Sequence, residues 1–376
     1  MKFNFSEEQT DFRNMLRRFL QDRSPTSEVR RIMETEAGYD PEVWRMMAED
    51  LGLTAIHIPE AYGGAGFGVS ELAIAAEEAG RALLPSPFFG STVMAATAIA
   101  EAGDDAQKQA LLPGISSGGT IAALAAAEPG TGWNADAFAA TARPDGDGWR
   151  LTGRKSYVLD GMAADLVVAA ARLPEGGLGL FSLPADSAGL TREPLQSMDP
   201  TRRLAKMDFD GAEAELLGGQ DAGGPAWART LDIAAVCLAG EMVGGAERLR
   251  EDALEYVSMR MQFGRSIASF QVTKHKAADM LLDVELAKAA AYYAAAAADD
   301  DGEDEEQPLS ALASLAKATA SDTYMQTAIH AVQMHGGIGF THDNDTQLWF
   351  KRAKSSEAFL GTAADHRERM LQHWNA

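Results

Sequence analysis

Residues 226–262 carry a helical pattern that nothing but paired glycines interrupts. At 1.5 Å of rise per residue this is a rod of roughly 50 Å. Two further helical runs follow, at about 270–298 and 309–335. Between them lies the acidic tract DDDGEDEEQP, residues 299–308, which reads as a solvated helix–helix connection. Long amphipathic helices joined by short links bury their apolar stripes most economically against one another, so the last third predicts a four-helix bundle. A chain of 376 residues exceeds one typical core, and the remainder must pack as one or two further units.

The first third also reads helical. Ser6 with Gln9 forms a capping-box pattern, and Phe12, Met15, Leu16, Phe19 and Leu20 follow with helical spacing. Asp40 and Pro41 read as an N-cap and first helical residue, ahead of an apolar face of Trp44, Met47 and Leu51 and a stop at Gly52. The glycine-rich turn AYGGAGFG, residues 61–68, precedes another helix at about 70–81, and further helical runs end near LLPGISSGG, residues 111–119. From about 120 to 217 the character changes. Short runs such as WRLTG, KSYVL, DLVVAAA and LGLFSLP are punctuated by Gly, Pro and Asp, the spacing of a compact β domain. Within it WRLTGRKSYVLDG predicts two strands meeting at a turn around Gly153. The expected architecture is α+β and mostly α: a helical domain over 1–118, a β-barrel or sandwich over 119–222, and a helical bundle over 223–376.

A hydrophobic content of 46% with 23% charged residues is that of an ordinary globular protein. The formal charge of −22 argues against a nucleic-acid partner, which needs a clustered basic face. It leaves room for an anionic cofactor, since local arginines and helix N-termini hold phosphates within acidic proteins. The single cysteine, Cys237, lies in an apolar helical pattern and reads as an inert core thiol in a reducing compartment. MKFNFSEEQ lacks a signal-peptide core and no apolar run reaches a membrane span of about 20 residues, so the expected location is cytoplasmic. His330, His335 and His342 lack carboxylate or thiol partners at ligand spacing and do not read as a metal site. Met259 and Met261, flanking Arg260, read as core.

Six segments carry a resemblance: LGLTAIHIPEAYGG (51–64), QKQALLPGISSG (107–118), AEPGTG (127–132), WRLTGRKSYV (149–158), RMQFGRSIASFQ (260–271) and QMHGGIGFT (333–341). In this order the chain resembles the acyl-CoA dehydrogenase family over essentially its whole length. The resemblance implies FAD between the middle domain and the bundle, with its ADP half reaching a neighbouring subunit. Arg260, Phe263, Gly264, Phe270 and Gln271 would then meet FAD, and Gln333, Gly336 and Gly337 would approach its diphosphate and adenosine region. Guanidinium on phosphate is a charge-assisted contact, and glycines let backbone N–H groups come close. Where the family usually carries hydroxyl-bearing residues around the flavin ring, this chain has Ala127, Tyr157 and Leu159. Thr362 closes the set, and Trp133 stands where a serine near the acyl-CoA site is common.

Dehydrogenation needs a carboxylate to take the α-proton of a thioester while a hydride leaves the β-carbon. At the family's usual base position the chain has Leu360, followed by Gly361 and Thr362, and at the alternative position it has Ala234 and Ala235. Glu241, about two turns further along that helix, is the carboxylate that could face the same side, with Asp232 and Glu357 as further candidates. The resemblance therefore points to the small, non-catalytic subunit of two-subunit (α2β2) acyl-CoA dehydrogenases of the pimeloyl-CoA or steroid-side-chain type. It implies an acyl-CoA substrate in fatty acid or steroid side-chain β-oxidation, a homologous large subunit that supplies the base, and electron-transfer flavoprotein as the electron acceptor. Three alternatives remain: a self-sufficient homotetramer using Glu241, a catalytically silent flavin or acyl-CoA binding protein, and a flavin oxidase on the same scaffold.

Overall fold

The computed structural model describes residues 5–300 and 308–374. Helix α1, Glu7–Arg23, starts at a complete capping box: the Ser6 hydroxyl accepts from the Gln9 amide and the Gln9 side chain accepts from the Ser6 amide. Helix α2 is Thr26–Met33. Helix α3, Pro41–Glu49, is capped by the Asp40 carboxylate, which accepts from the Glu42 and Val43 amides, and it buries Trp44 and Met47. Gly52 follows in the left-handed region at φ 63°, where the chain leaves the helix. Helix α4, Val69–Arg81, is followed by a fully buried π-helical stretch, Phe88–Ala96, then α5, Thr97–Ala102, and α6, Asp105–Ser116.

Seven strands come next: β1 Ala122–Ala125, β2 Thr141–Asp145, β3 Gly148–Leu159, β4 Leu166–Arg172, β5 Leu178–Pro184, β6 Leu190–Leu195 and β7 Leu204–Leu216. Pairing runs β4–β2–β3–β7–β5 and returns from β5 to β4, so the sheet closes into a barrel, with β1 added on β4 and β6 on β7. Its interior is filled by Leu151, Val167, Phe181, Met207 and their apolar neighbours. The expected turn at Gly153 is not there. Gly153 lies inside the single strand β3, at φ 145°, beside a register shift between Leu151 and Thr152. A Cβ there would stand 2.6 Å from Ala140, so the glycine serves a close backbone approach and a bulge rather than a reversal.

The C-terminal helices are α7 Gly223–Met259, α8 Gln271–Ala298, α9 Leu309–His335, α10 Thr346–Ala358 and α11 Ala363–His373. Helix α9 is the hub against which α8, α10 and α11 pack, through fully buried small residues such as Ala311, Ala313, Ala316 and Ala328. Glycines bring α4 and α7 together: a Cβ on Gly80 would stand 2.0 Å from the Glu241 carbonyl, and one on Gly244 would stand 1.9 Å from that of Glu77.

Compactness does not follow chain order. One unit comprises Met1–Arg30, Val69–Leu84 and Ala235–Ala376, and the other Arg31–Gly68 and Pro85–Ala234. Residues 301–307 of the acidic tract lie outside the described residues. Asp299 caps α4, its carboxylate accepting from the Val69 and Ser70 amides. Cys237 is buried, and that burial pushes its thiol up, away from thiolate chemistry. Among the described residues no helix is long and apolar enough to cross a membrane.

Candidate functional site

The unit built on α7–α11 holds two contrasting stretches. At the end of α7, residues Met261–Gln262 pair with Arg265–Ser266 in a small hairpin, tied back by the Ser266 hydroxyl to the Val257 carbonyl at 2.9 Å. This hairpin collects Arg260, Phe263, Gly264, Phe270 and Gln271. Phe263 takes left-handed backbone at φ 54° and is 91% exposed. Its ring meets Phe270 edge-on at 6.1 Å, and the Arg265 guanidinium lies 3.9 Å over the other ring. Arg260 and Gln271 are exposed. Met259 and Met261, expected in the core, are also exposed, at 67% and 57%. The helix ends there and the hairpin projects, which apolar content alone could not indicate.

Gln333, Gly336 and Gly337 are exposed at the end of α9. The Gln333 side-chain oxygen accepts from the Lys276 ammonium, which also lies 3.3 Å from His330 Nδ1, so the first turns of α8 meet the last turn of α9. Gly336 has φ 66°, and a Cβ at Gly264, Gly336 or Gly337 would meet nothing within 4 Å. Open glycines, exposed aromatic rings and unsealed guanidinium donors suit an anionic, ring-bearing ligand such as a dinucleotide. His335 is used otherwise: Nδ1–H donates to the Ala331 carbonyl and the ring stacks on Tyr256 at 4.4 Å.

The second stretch, residues 357–362 at the end of α10, is closed. Leu360 is 6% exposed and in left-handed backbone at φ 59°, an outlier for a bulky side chain. The ammonium of Lys317, itself fully buried, donates to the Glu357 and Gly361 carbonyls. His366 Nε2–H donates to the Leu360 carbonyl at 3.0 Å. Thr362 is the N-cap of α11 and shares a capping box with Asp365. Burial moves the Lys317 ammonium down to about 8 and the His366 imidazole down to about 4. Glu241 lies in the same unit, 5% exposed, with Oε1 3.1 Å from the guanidinium of Arg352, which is 3% exposed. Among the other carboxylates, Glu357 pairs with Lys354 and Asp232 is buried.

Ala127, Tyr157 and Leu159 belong to the barrel unit. Ala127 and Leu159 are buried, and Tyr157 is half exposed in left-handed backbone at φ 59°. The Ser156 amide donates to the Ala127 carbonyl at 2.8 Å, which joins these positions. Trp133 stacks on Trp227 at 6.3 Å. Lys155, Glu128, Lys317, His366 and Arg352 escaped the sequence reading. The available signal was a lone charged residue inside an otherwise small and apolar pattern, as at Lys317 in SLAKATA, whereas Lys155 follows Arg154 and carried no such signal.

Family descriptions match nearly the whole chain: acyl-CoA dehydrogenase N-terminal domain over 6–119, middle domain over 123–211 and C-terminal domain over 221–374. An acyl-CoA dehydrogenase named IpdE2, from Mycobacterium tuberculosis, is 34% identical over 88% of this chain and 86% of its own. Among solved structures, the Tcur3481–Tcur3483 steroid ACAD variant superposes with a TM-score of 0.89 at 32% identity, covering 98% of each chain. The ChsE4–ChsE5 complex from Mycobacterium tuberculosis gives 0.89 at 26% identity over 100% of this chain and 99% of the other.

Proposed function

Because this chain belongs to the acyl-CoA dehydrogenase family, we propose that it binds FAD and takes part in the α,β-dehydrogenation of an acyl-CoA thioester, with the base supplied by a homologous partner subunit. FAD, when bound, accepts the hydride that leaves the β-carbon. Arg260, with Arg265 on the same hairpin, would hold the diphosphate, Phe263 and Phe270 would offer ring surfaces, and Gly336 and Gly337 would admit the nucleotide close to the backbone. The α-proton goes to a carboxylate of the partner, and the product is the α,β-unsaturated thioester.

The observation that carries this reading is the closed turn at Leu360. A buried hydrocarbon, whose own and neighbouring carbonyls are occupied by Lys317 and His366, offers no proton acceptor. Glu241, the displaced candidate base, has Arg352 as its counter-ion, and taking a proton would cost it that buried charge contact. The paired names of two solved relatives, ChsE4–ChsE5 and Tcur3481–Tcur3483, favour a two-subunit assembly over a homotetramer. Electron-transfer flavoprotein is the expected acceptor.

The test is expression of this chain alone and with a candidate partner. The expected outcome is thioester-dependent bleaching of the flavin band only in the co-expressed complex. A flavinated, active homo-oligomer of this chain alone would overturn the reading. Loss of that activity in Glu241→Gln with FAD absorbance intact would then identify Glu241 as the base.

A further inference from the structure

Two titratable side chains that the reading above does not use are buried in the barrel unit: Lys155 on β3 and Glu128 just after β1. The Glu128 carboxylate accepts from the Ala139 amide at 2.7 Å, the Ala140 amide at 3.0 Å and the Lys155 ammonium at 2.7 Å. The same ammonium lies 3.9 Å from the centroid of the Phe138 ring. This pair ties segment 127–140 to the second of two places where the register of β3 with β7 shifts, between Lys155 and Val158. Ser156 and Tyr157 are the residues of that bulge. Tyr157 carries left-handed backbone and a ring 49% exposed, while Lys155, Ser156, Val158 and Leu159 around it are all buried. A bulge of this kind re-aims a side chain, and a bulky residue stays in left-handed backbone only where its surroundings over-determine it.

We propose that Lys155 and Glu128 are positioning residues that lock this bulge so that the Tyr157 ring is set against the bound flavin. The inference rests on the FAD reading given above. A buried ion pair contributes little to stability by itself, since apolar residues of similar volume do as well, and the hydrophobic cluster of this unit is built on residues such as Leu151, Phe181 and Met207. Burial alone would raise the Glu128 carboxyl, but its amide and ammonium donors hold it below its ordinary value. Burial brings the Lys155 ammonium down to about 8, and Glu128 is the charged group that opposes this. The pair is therefore intact at neutral pH and loses its charge on Lys155 as the pH rises through about 8, whereas an arginine at 155 would stay protonated.

The experiment uses the full chain, by itself for the exchange readout and co-expressed with its partner subunit for the FAD readout. Without FAD, amide hydrogen exchange at Ala139, Ala140 and Ser156 is expected to speed up at least tenfold in Lys155→Met and to stay near wild type in Lys155→Arg. With FAD, flavin emission quenched by electron transfer from the Tyr157 phenol is expected to rise several-fold in Tyr157→Ala, in Tyr157→Phe and in Lys155→Met, and to stay low in Lys155→Arg. Wild-type emission should climb with a midpoint near pH 8, and that of Lys155→Arg should not. Unchanged exchange and emission in Lys155→Met, or equal losses in Lys155→Met and Lys155→Arg, would overturn the proposal. A wild-type complex with the partner subunit that holds no FAD would sink the functional reading, while the exchange comparison would still decide whether the pair holds the bulge.

Discussion

The hairpin after α7 and the turn after α10 belong to one compact unit and spend their polar groups in opposite ways. In the hairpin, Arg260 and Gln271 point to water and Phe263 is almost fully exposed. In the turn, Lys317 and His366 are buried and their N–H groups are committed to the carbonyls of residues 357, 360 and 361. Groups left open can meet a ligand at little cost, whereas groups already satisfied inside the fold can only support the fold. The difference separates binding from structure: substitutions in the turn and its surroundings should act on stability, and those in the hairpin on ligand retention.

The largest effect is expected at the Glu241–Arg352 pair. Arg352→Met leaves a buried carboxylate without its counter-ion and should cost roughly 3–5 kcal/mol in denaturant unfolding. A loss below about 1 kcal/mol would show that Glu241 is less sealed than its burial indicates. Next comes Glu77 on α4, 2% exposed, which burial raises to about 7 despite Arg13 at 3.0 Å. A raised carboxyl contributes stability that is full below the unfolded value near 4.5 and is lost as the pH climbs through about 7. Stability should therefore fall between pH 5 and 8 by on the order of 2–3 kcal/mol from this group, and Glu77→Gln should flatten that slope in urea titrations.

Lys317→Met should cost about 1–3 kcal/mol, because two partly buried carbonyls lose their donor. Thermal unfolding would measure it, and no change would mean that the turn is held by His366 alone. The smallest stability effect belongs to Arg260→Ala, within about 0.5 kcal/mol. Its consequence should appear instead as weaker FAD retention, by about tenfold, read by equilibrium dialysis, since a charge-assisted contact contributes about 1.5–3 kcal/mol. A stability loss equal to that of Lys317→Met would erase the distinction between the two stretches.

Much of the fold was legible in short sequence windows. The capping box at Ser6 and Gln9, the Asp40–Pro41 start of α3 and the run of α9 each depend on groups within one or two turns of one another. The glycine at 153 was legible as punctuation but not as a bulge, because its reason is Ala140 on a different segment. Met259 and Met261 show the same limit: methionine content predicts burial, and only the projection of the hairpin reverses it.

By itself the sequence determined the helical rods, the strand-rich middle, the open glycine and arginine segments, and the hydrocarbon at position 360. Each of these is a matter of periodicity, backbone preference or side-chain identity. Tertiary structure alone decided that Lys155 meets Glu128 across 27 positions, that Glu241 meets Arg352 across 111, and that Lys317 closes over the turn. A buried charge finds its partner by the packing of distant elements, and no local pattern encodes that distance.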